Sequence, residues 1–146
     1  MNRNKAKGDR AEMVARDFFR LNGFPGTERT RAGYTRDFGD LHLSPGALVQ
    51  VKDCQVLRWS EWFNGLEEQI KGHGADVGFL MVKRPRMGSA QVGQWLAVMP
   101  VDRMTRLVRA AGYGTSLPED ADSPFRSSVT PDSSLLIGSR LDQDER

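Results

Sequence analysis

Cysteine, histidine and long apolar segments are all scarce in this sequence of 146 residues. The single cysteine, Cys54, excludes an internal disulfide and a cysteine-based zinc cluster. No segment approaches the ~20 consecutive apolar residues that a membrane-spanning helix needs. Residues 1–10 are basic and polar and no apolar stretch follows them, unlike in a signal peptide. These absences predict a soluble, cytoplasmic protein.

The positive and negative charges are distributed unevenly along the chain. Residues 1–113 contain 18 Lys/Arg and 12 Asp/Glu, whereas residues 114–146 contain 3 and 7. A basic body with an acidic tail is typical of a nucleic-acid-binding domain with a disordered appendage, although many basic domains bind no nucleic acid. The length suits one domain with its own core. We predict this domain at residues 1–112 and a disordered, acidic tail rich in Ser and Pro at residues 113–146.

Apolar periodicity and turn residues predict three helices and five strands. The helices are expected at residues 9–21, at residues 60–73 with Ser60 as the N-cap and Gly74 at the end, and from residue 102 onward. The strands are expected at residues 27–31, 40–43, 47–52, 77–82 and 94–99, with a loop at residues 32–39.

The order of these elements is helix, three strands, helix, strand, strand, helix. The strand–helix–strand unit in the middle predicts a right-handed parallel crossover between residues 47–52 and 77–82. The expected fold is therefore a single α/β domain in which helices flank a central mixed sheet.

Three polar residues stand out in the predicted hairpin of the second and third strands. Asp40 opens one strand, and Gln50 and Lys52 share one face of the other because side chains alternate along a strand. Carboxylate and amide oxygens are ligands that Mg²⁺ accepts, with water and a substrate phosphate filling the other positions. A neighbouring lysine can orient water and offset the charge that develops on a phosphate. The spacing therefore predicts a phosphodiester-cleaving site at Asp40, Gln50 and Lys52.

With the elements around it, this segment resembles the PD-(D/E)XK nucleases, and among them the archaeal-type Holliday junction resolvases and their phage-borne relatives. The resemblance covers about residues 5–112. Its motifs are KGDRAE at 7–12, NGF at 22–24, the Arg-rich stretch at 28–36, Gly39-Asp40, Gln50-Val51-Lys52 and VKRP at 82–85. It implies a restriction-endonuclease-like fold with an αβββαβ core, Mg²⁺ or Mn²⁺ as the cofactor, and Glu12 as an accessory acid and metal ligand.

Two positions depart from the family pattern. Gly39 stands where the family usually has proline before the aspartate, and Gln50 stands where it usually has glutamate. Glutamine keeps an oxygen ligand but removes one negative charge, so a weaker affinity for metal is expected.

Other residues compete for these roles. Glu12 precedes Arg16 by four residues, so an ordinary ion pair on the helix surface explains it about as well. Asp37 and Asp53 are alternative metal ligands. His42 shares a strand face with Asp40, and His73 suits a helix end, but neither predicts a zinc site or a catalytic triad.

Basic residues near the predicted site are candidates for DNA contact. Arginine is suited to bidentate contact with phosphate. The candidates lie on the first helix, in the loop before Asp40, and after the fourth strand, and they are Lys7, Arg10, Arg29, Arg31, Arg36, Lys83 and Arg84.

The candidate site and the resemblance together indicate a metal-dependent DNA endonuclease, and the resemblance to the resolvases implies branched DNA as the substrate and a homodimer acting on a four-way junction in DNA recombination or repair. A viral or bacterial host cytoplasm is the expected location. Two alternatives are a nuclease for flaps, nicks or single strands, and a non-catalytic DNA-binding module on a nuclease scaffold.

Overall fold

A computed structural model describes residues 3–30 and 40–117. The described chain contains three α-helices, α1 (Arg3–Leu21), α2 (Trp59–His73) and α3 (Val101–Val108). Its strands are β1 (Glu28–Arg29), β2 (Asp40–Ser44), β3 (Ala47–Lys52), β4 (Val77–Val82) and β5 (Leu96–Val98). A short 3₁₀ helix covers Ser89–Gln94, and a π-helical turn covers Arg109–Tyr113. Contacts divide the chain into the units Met1–Thr115 and Ser116–Arg146, and the fold described below belongs to the first.

The five strands form one mixed sheet whose order, β1-β2-β3-β4-β5, repeats the order of the chain. Neighbouring strands are antiparallel except for β3 and β4, which are parallel and are joined through α2. The predicted α/β domain with a helix-flanked mixed sheet is confirmed, as is the parallel pairing across the second helix. Strand β3, which carries Gln50 and Lys52, is the central strand of the five.

Helix α1 covers one face of the sheet. Ala11 and Ala15 are buried, and they pack into a core with Leu41, Val49 and Val51. Small residues at these positions let the helix approach the strands closely. The helix begins at Arg3, six residues before the predicted start, and ends as predicted at Leu21.

Helix α2 covers the opposite face. Trp62, Leu66 and Ile70 recur at helical spacing and pack on Leu48, Leu80 and Val82 in a second core. Gly74 ends the helix in the left-handed conformation, with φ at 61°, and its N–H contacts the carbonyls of the last turn. The prediction that Ser60 caps the helix is wrong, because α2 begins one residue earlier with Arg58 as the N-cap.

Several predicted bounds need correction. Strand β1 has only two residues, and the last strand is shortened to Leu96–Val98 because a 3₁₀ helix occupies the residues before Trp95. Helix α3 begins after Pro100, at Val101. The predicted loop at residues 32–39 and most of the predicted tail lie outside the described residues. Within the described residues, no helix is both long and apolar enough to cross a membrane.

Candidate active site

The β2–β3 hairpin brings two of the predicted site positions into register. Asp40, the first residue of β2, is the partner of Gln50 on β3. Lys52 follows two residues later as the last residue of β3. Ser44 and Ala47 pair at the other end of the hairpin, around a turn in which Gly46 adopts a φ of 83°. The register shifts by one residue between His42 and Ser44, and this irregularity together with the turn aligns Asp40 with Gln50.

Gln50 is almost fully buried, with 1% of its surface exposed. Val49 and Val51 on either side belong to the core under α1, so strand alternation turns Gln50 toward α2. Its Nε2 donates a hydrogen bond of 2.7 Å to Oε1 of Gln69. Its own Oε1 is buried and has no hydrogen-bond partner. A buried acceptor left in this state costs about 1–3 kcal/mol, which marks this oxygen as a candidate ligand atom.

Lys52 is half-buried on the same face as Gln50. Its Nζ lies 5.7 Å from the centroid of the Trp62 ring, at a distance typical of a cation–π contact. Trp62 is itself buried and meets Trp59 edge to face, with ring centroids 5.5 Å apart. The lysine therefore has a rigid aromatic support.

Glu12 lies on α1, against the other face of the sheet. Nε of Arg29 donates to Oε2 of Glu12 at 2.8 Å, and Nη2 of Arg29 donates to Oδ1 of Asp9 at 2.7 Å. The pKa of the Arg29 guanidinium is raised although burial by itself lowers it, because these carboxylate contacts outweigh the burial. Glu12 therefore lies on the helix that covers the face opposite α2, with its Oε2 bound by Arg29. The alternative pairing of Glu12 with Arg16 is also not seen, since Arg16 contacts Asp17.

Asp53, a predicted alternative ligand, is held by two lysines. Its carboxylate lies 3.0 Å from Nζ of Lys7 and 3.1 Å from Nζ of Lys83. Lys83 also lies over the buried Trp95 ring, 5.7 Å from its centroid. Asp53 therefore joins the start of α1 to the end of β4.

Basic side chains surround this salt bridge. A pocket of about 350 Å³ is lined by Arg3, Lys7, Arg10 and Lys83, together with Asp53, Ser89 and Trp95. Three of the four basic residues are predicted DNA contacts, and Arg3 is an addition. Sequence reasoning missed Arg3 because the first helix was expected to begin only at residue 9. The pocket combines four cations with one carboxylate and suits a phosphate group.

Comparison with known proteins identified no family to which this chain is similar. No family model, curated protein or solved structure matches this chain.

The polar groups at the hairpin have the character of an oxygen-ligand site. Among the described side chains, which do not include that of Asp40, no group of three or more His, Cys, Asp and Glu is arranged to hold a metal ion. By residue type, the register partners Asp40 and Gln50 supply one carboxylate and one amide. Magnesium sites commonly use one or two carboxylates and leave the remaining positions to water and phosphate. The donor set and the unpartnered Oε1 of Gln50 therefore fit a hard divalent ion.

Gln69 is a residue that sequence reasoning missed. It lies seven residues after Trp62 and beside Ile70, on the face of α2 that packs against the sheet. A polar residue at a position of the apolar stripe is the signal that identifies it.

The two histidines, His42 and His73, lie close together on the side of the sheet that α2 covers. The ring centroids of His42 and His73 are 5.0 Å apart and the rings are nearly perpendicular, at 84°. Burial lowers the pKa of the His42 imidazole, the nearby His73 lowers it further, and Glu28 acts in the opposite direction.

Of the remaining predicted contacts, Arg84 is exposed just after β4. Arg31, Arg36 and Asp37 lie outside the described residues.

Proposed function

We propose that this protein is a metal-dependent DNA endonuclease of the PD-(D/E)XK type. The observation that carries the proposal is the register of Asp40 with Gln50, next to Lys52, combined with the buried and unpartnered Oε1 of Gln50. The order of elements and the sheet, with three antiparallel strands followed by a parallel one, agree with the core that the sequence resemblance implies.

Mg²⁺ or Mn²⁺ would be held by Asp40 and Gln50. When bound, the ion supplies positive charge that activates water and polarises a phosphodiester. The hydrogen bond from Nε2 to Gln69 fixes the amide of Gln50 so that Oε1 is the atom left to bind. This primary ligand set does not include Glu12, whose Oε2 is bound by Arg29.

Lys52 contributes a fixed positive charge. Its ammonium group is half-buried against Trp62, where a charge interacts more strongly than it does in open water. We expect it to stabilise the negative charge that grows on the phosphate during cleavage and to orient the attacking water.

DNA would be bound through the basic pocket at the start of α1. Arg3, Lys7, Arg10 and Lys83 lie there together, with a surplus of three positive charges over Asp53. Such contacts position the phosphate backbone and carry no sequence information. The finer proposal, that the substrate is a four-way junction cut by a homodimer, rests on the resemblance to the junction resolvases.

A second candidate is a DNA-binding module without catalysis. The specific observation in its favour is that Gln50 replaces the usual acid while the described residues contain no three-residue acidic or histidine metal cluster. Such a protein would bind DNA through the same basic pocket.

A metal-dependent cleavage assay tests the leading proposal. Asp40→Asn and Lys52→Met should each lower the cleavage rate by about 100-fold or more, because each removes charge that acts on the reacting phosphate. The methionine preserves packing on Trp62. Asp17→Asn and Lys71→Met are matched controls on exposed helix positions and should cleave like the wild type.

The outcomes separate the candidates. Full activity in both site variants contradicts the proposed site. A wild-type protein that binds DNA but does not cut it with either metal supports the binding module. Comparing four-way, flap, nicked and single-stranded DNA then identifies the preferred structure.

A further inference from the structure

The only two histidines of the chain meet in the folded protein. His42 lies on β2 and His73 is the last residue of α2, yet their ring centroids are 5.0 Å apart. We propose that His42 and His73 form a binding site for a divalent transition-metal ion such as Zn²⁺ or Ni²⁺. Its ligands are different residues from Asp40 and Gln50, and the proposal does not depend on nuclease activity.

The spacing of the rings suits one shared ion. Zinc–nitrogen bonds of about 2.1 Å place an imidazole centroid roughly 3.2 Å from the ion, so two rings at a tetrahedral angle have centroids about 5.2 Å apart. The observed separation is close to this value.

The surroundings favour a cation. Both histidines line a pocket of about 460 Å³ together with Glu28 and Ser44. Glu28 is the register partner of His42 and brings a negative charge. His73 lies in the last turn of α2, where the helix dipole also favours positive charge. Arg29 lines the pocket too, but its guanidinium is neutralised by Asp9 and Glu12.

The ligand type selects the class of metal. Imidazole nitrogen suits zinc, nickel and copper, whereas magnesium prefers oxygen. His73 is exposed and His42 is half-buried, so an ion can enter from solvent. Among the described residues no third acid, cysteine or histidine completes a cluster, so water would fill the remaining positions and micromolar affinity is expected.

Calorimetric titration of the tag-free protein with ZnCl₂ or NiCl₂ in excess Mg²⁺ tests this site. We expect one equivalent to bind, and His42→Asn and His73→Asn each to weaken binding at least tenfold. Cys54→Ser controls for the only thiol and should bind like the wild type. Zinc should also raise the melting temperature of the wild type and Cys54→Ser, but not of the histidine variants, because the ion ties β2 to α2 only when the protein is folded.

Failure of the wild type to bind at micromolar metal overturns the proposal, and so does unchanged affinity in His73→Asn. The His73→Asn variant is sufficient for this test, because His73 is exposed at the end of a helix and its replacement should not disturb the core. Cleavage activity is not part of the readout, so the result is separate from the fate of the nuclease proposal.

Discussion

Gln50 combines two properties that rarely occur together. Its side chain is almost fully buried in the interior between β3 and α2, and its carbonyl oxygen has no hydrogen-bond partner there. Most buried polar groups are satisfied. Gln69 holds only the amide nitrogen. Gln50 is therefore held in position through Nε2, whereas its Oε1 has no hydrogen-bond partner.

Replacing Gln50 with glutamate tests this arrangement. Gln50→Glu has nearly the same shape and adds a negative charge, and Gln69 can turn its amide to donate to the new carboxylate. We expect half-maximal cleavage at a lower Mg²⁺ concentration than in the wild type. Without metal, the buried charge should lower the melting temperature by about 5 °C or more.

Gln50→Ala is the control for that experiment. It should cut poorly at every Mg²⁺ or Mn²⁺ concentration. Wild-type behaviour of Gln50→Ala across the titration would show that Gln50 is not a ligand.

The ion pair between Glu12 and Arg29 leads to a prediction about the stability of the protein. Glu12→Gln should reduce the free energy of unfolding by only about 1 kcal/mol, because the pair is partly exposed and Arg29 keeps Asp9 as a partner. The metal concentration for half-maximal cleavage should stay unchanged. Denaturant unfolding and a metal titration measure the two effects, and a raised metal requirement would return Glu12 to the ligand set.

At the scale of residues, the sequence predicts which face of a strand a residue lies on better than it predicts which residues contact it. Alternation along β3 was sufficient to place Gln50 and Lys52 on one face. It did not reveal that α2 covers this face, while Glu12 lies under the other, because the side on which each helix packs depends on tertiary structure. The meeting of His42 and His73 was missed for the same reason.

At the scale of the elements, α2 lies very close to the backbone of β4 at Gly78. A Cβ atom added there would lie 2.8 Å from Cδ1 of Ile70 and 3.1 Å from Cδ1 of Leu66. The helix therefore packs directly on the backbone of the strand.

Gly78→Ala should destabilise the protein by about 1–3 kcal/mol, as overpacked cores do. Ile70→Val removes the nearest methyl group and should recover part of the loss in the double variant. Unfolding free energies of the two single variants and the double variant form the required cycle. Strictly additive effects would contradict the contact.

The elements themselves were predicted well where their patterns were long. Strands β3 and β4 have the predicted bounds, because each is a continuous apolar or alternating segment ended by a turn. Short elements were predicted less accurately. The 3₁₀ helix before β5 was missed since its six residues show no apolar period.

For the molecule as a whole, the uneven charge distribution leads to a prediction about the removal of residues 116–146. This segment contains 7 Asp/Glu and 3 Arg, and it follows the unit that carries the sheet. Its removal should leave a folded protein that binds DNA more tightly at low salt, because the remaining chain is more positively charged.

The gain should shrink as salt increases and screens these charges. A full-length variant with the seven acids of this segment changed to amides controls for the loss of chain length and should bind as the truncated protein does. Fluorescence anisotropy over a salt series measures both. An unfolded truncated protein would assign part of the segment to the core.

The agreement between strand order and chain order has a consequence for how the protein folds. Pairing of β2 with β3 closes only a tight turn, whereas pairing of β3 with β4 must close a loop that includes α2. Longer loops cost more entropy, so we expect the crossover to be the later event. The hairpin that aligns Asp40 with Gln50 can therefore form while water still reaches Gln50, and the amide loses its solvent only when α2 docks. Dehydration of this polar group thus belongs to the late part of folding, where its cost speeds unfolding more than it slows the search for the native state.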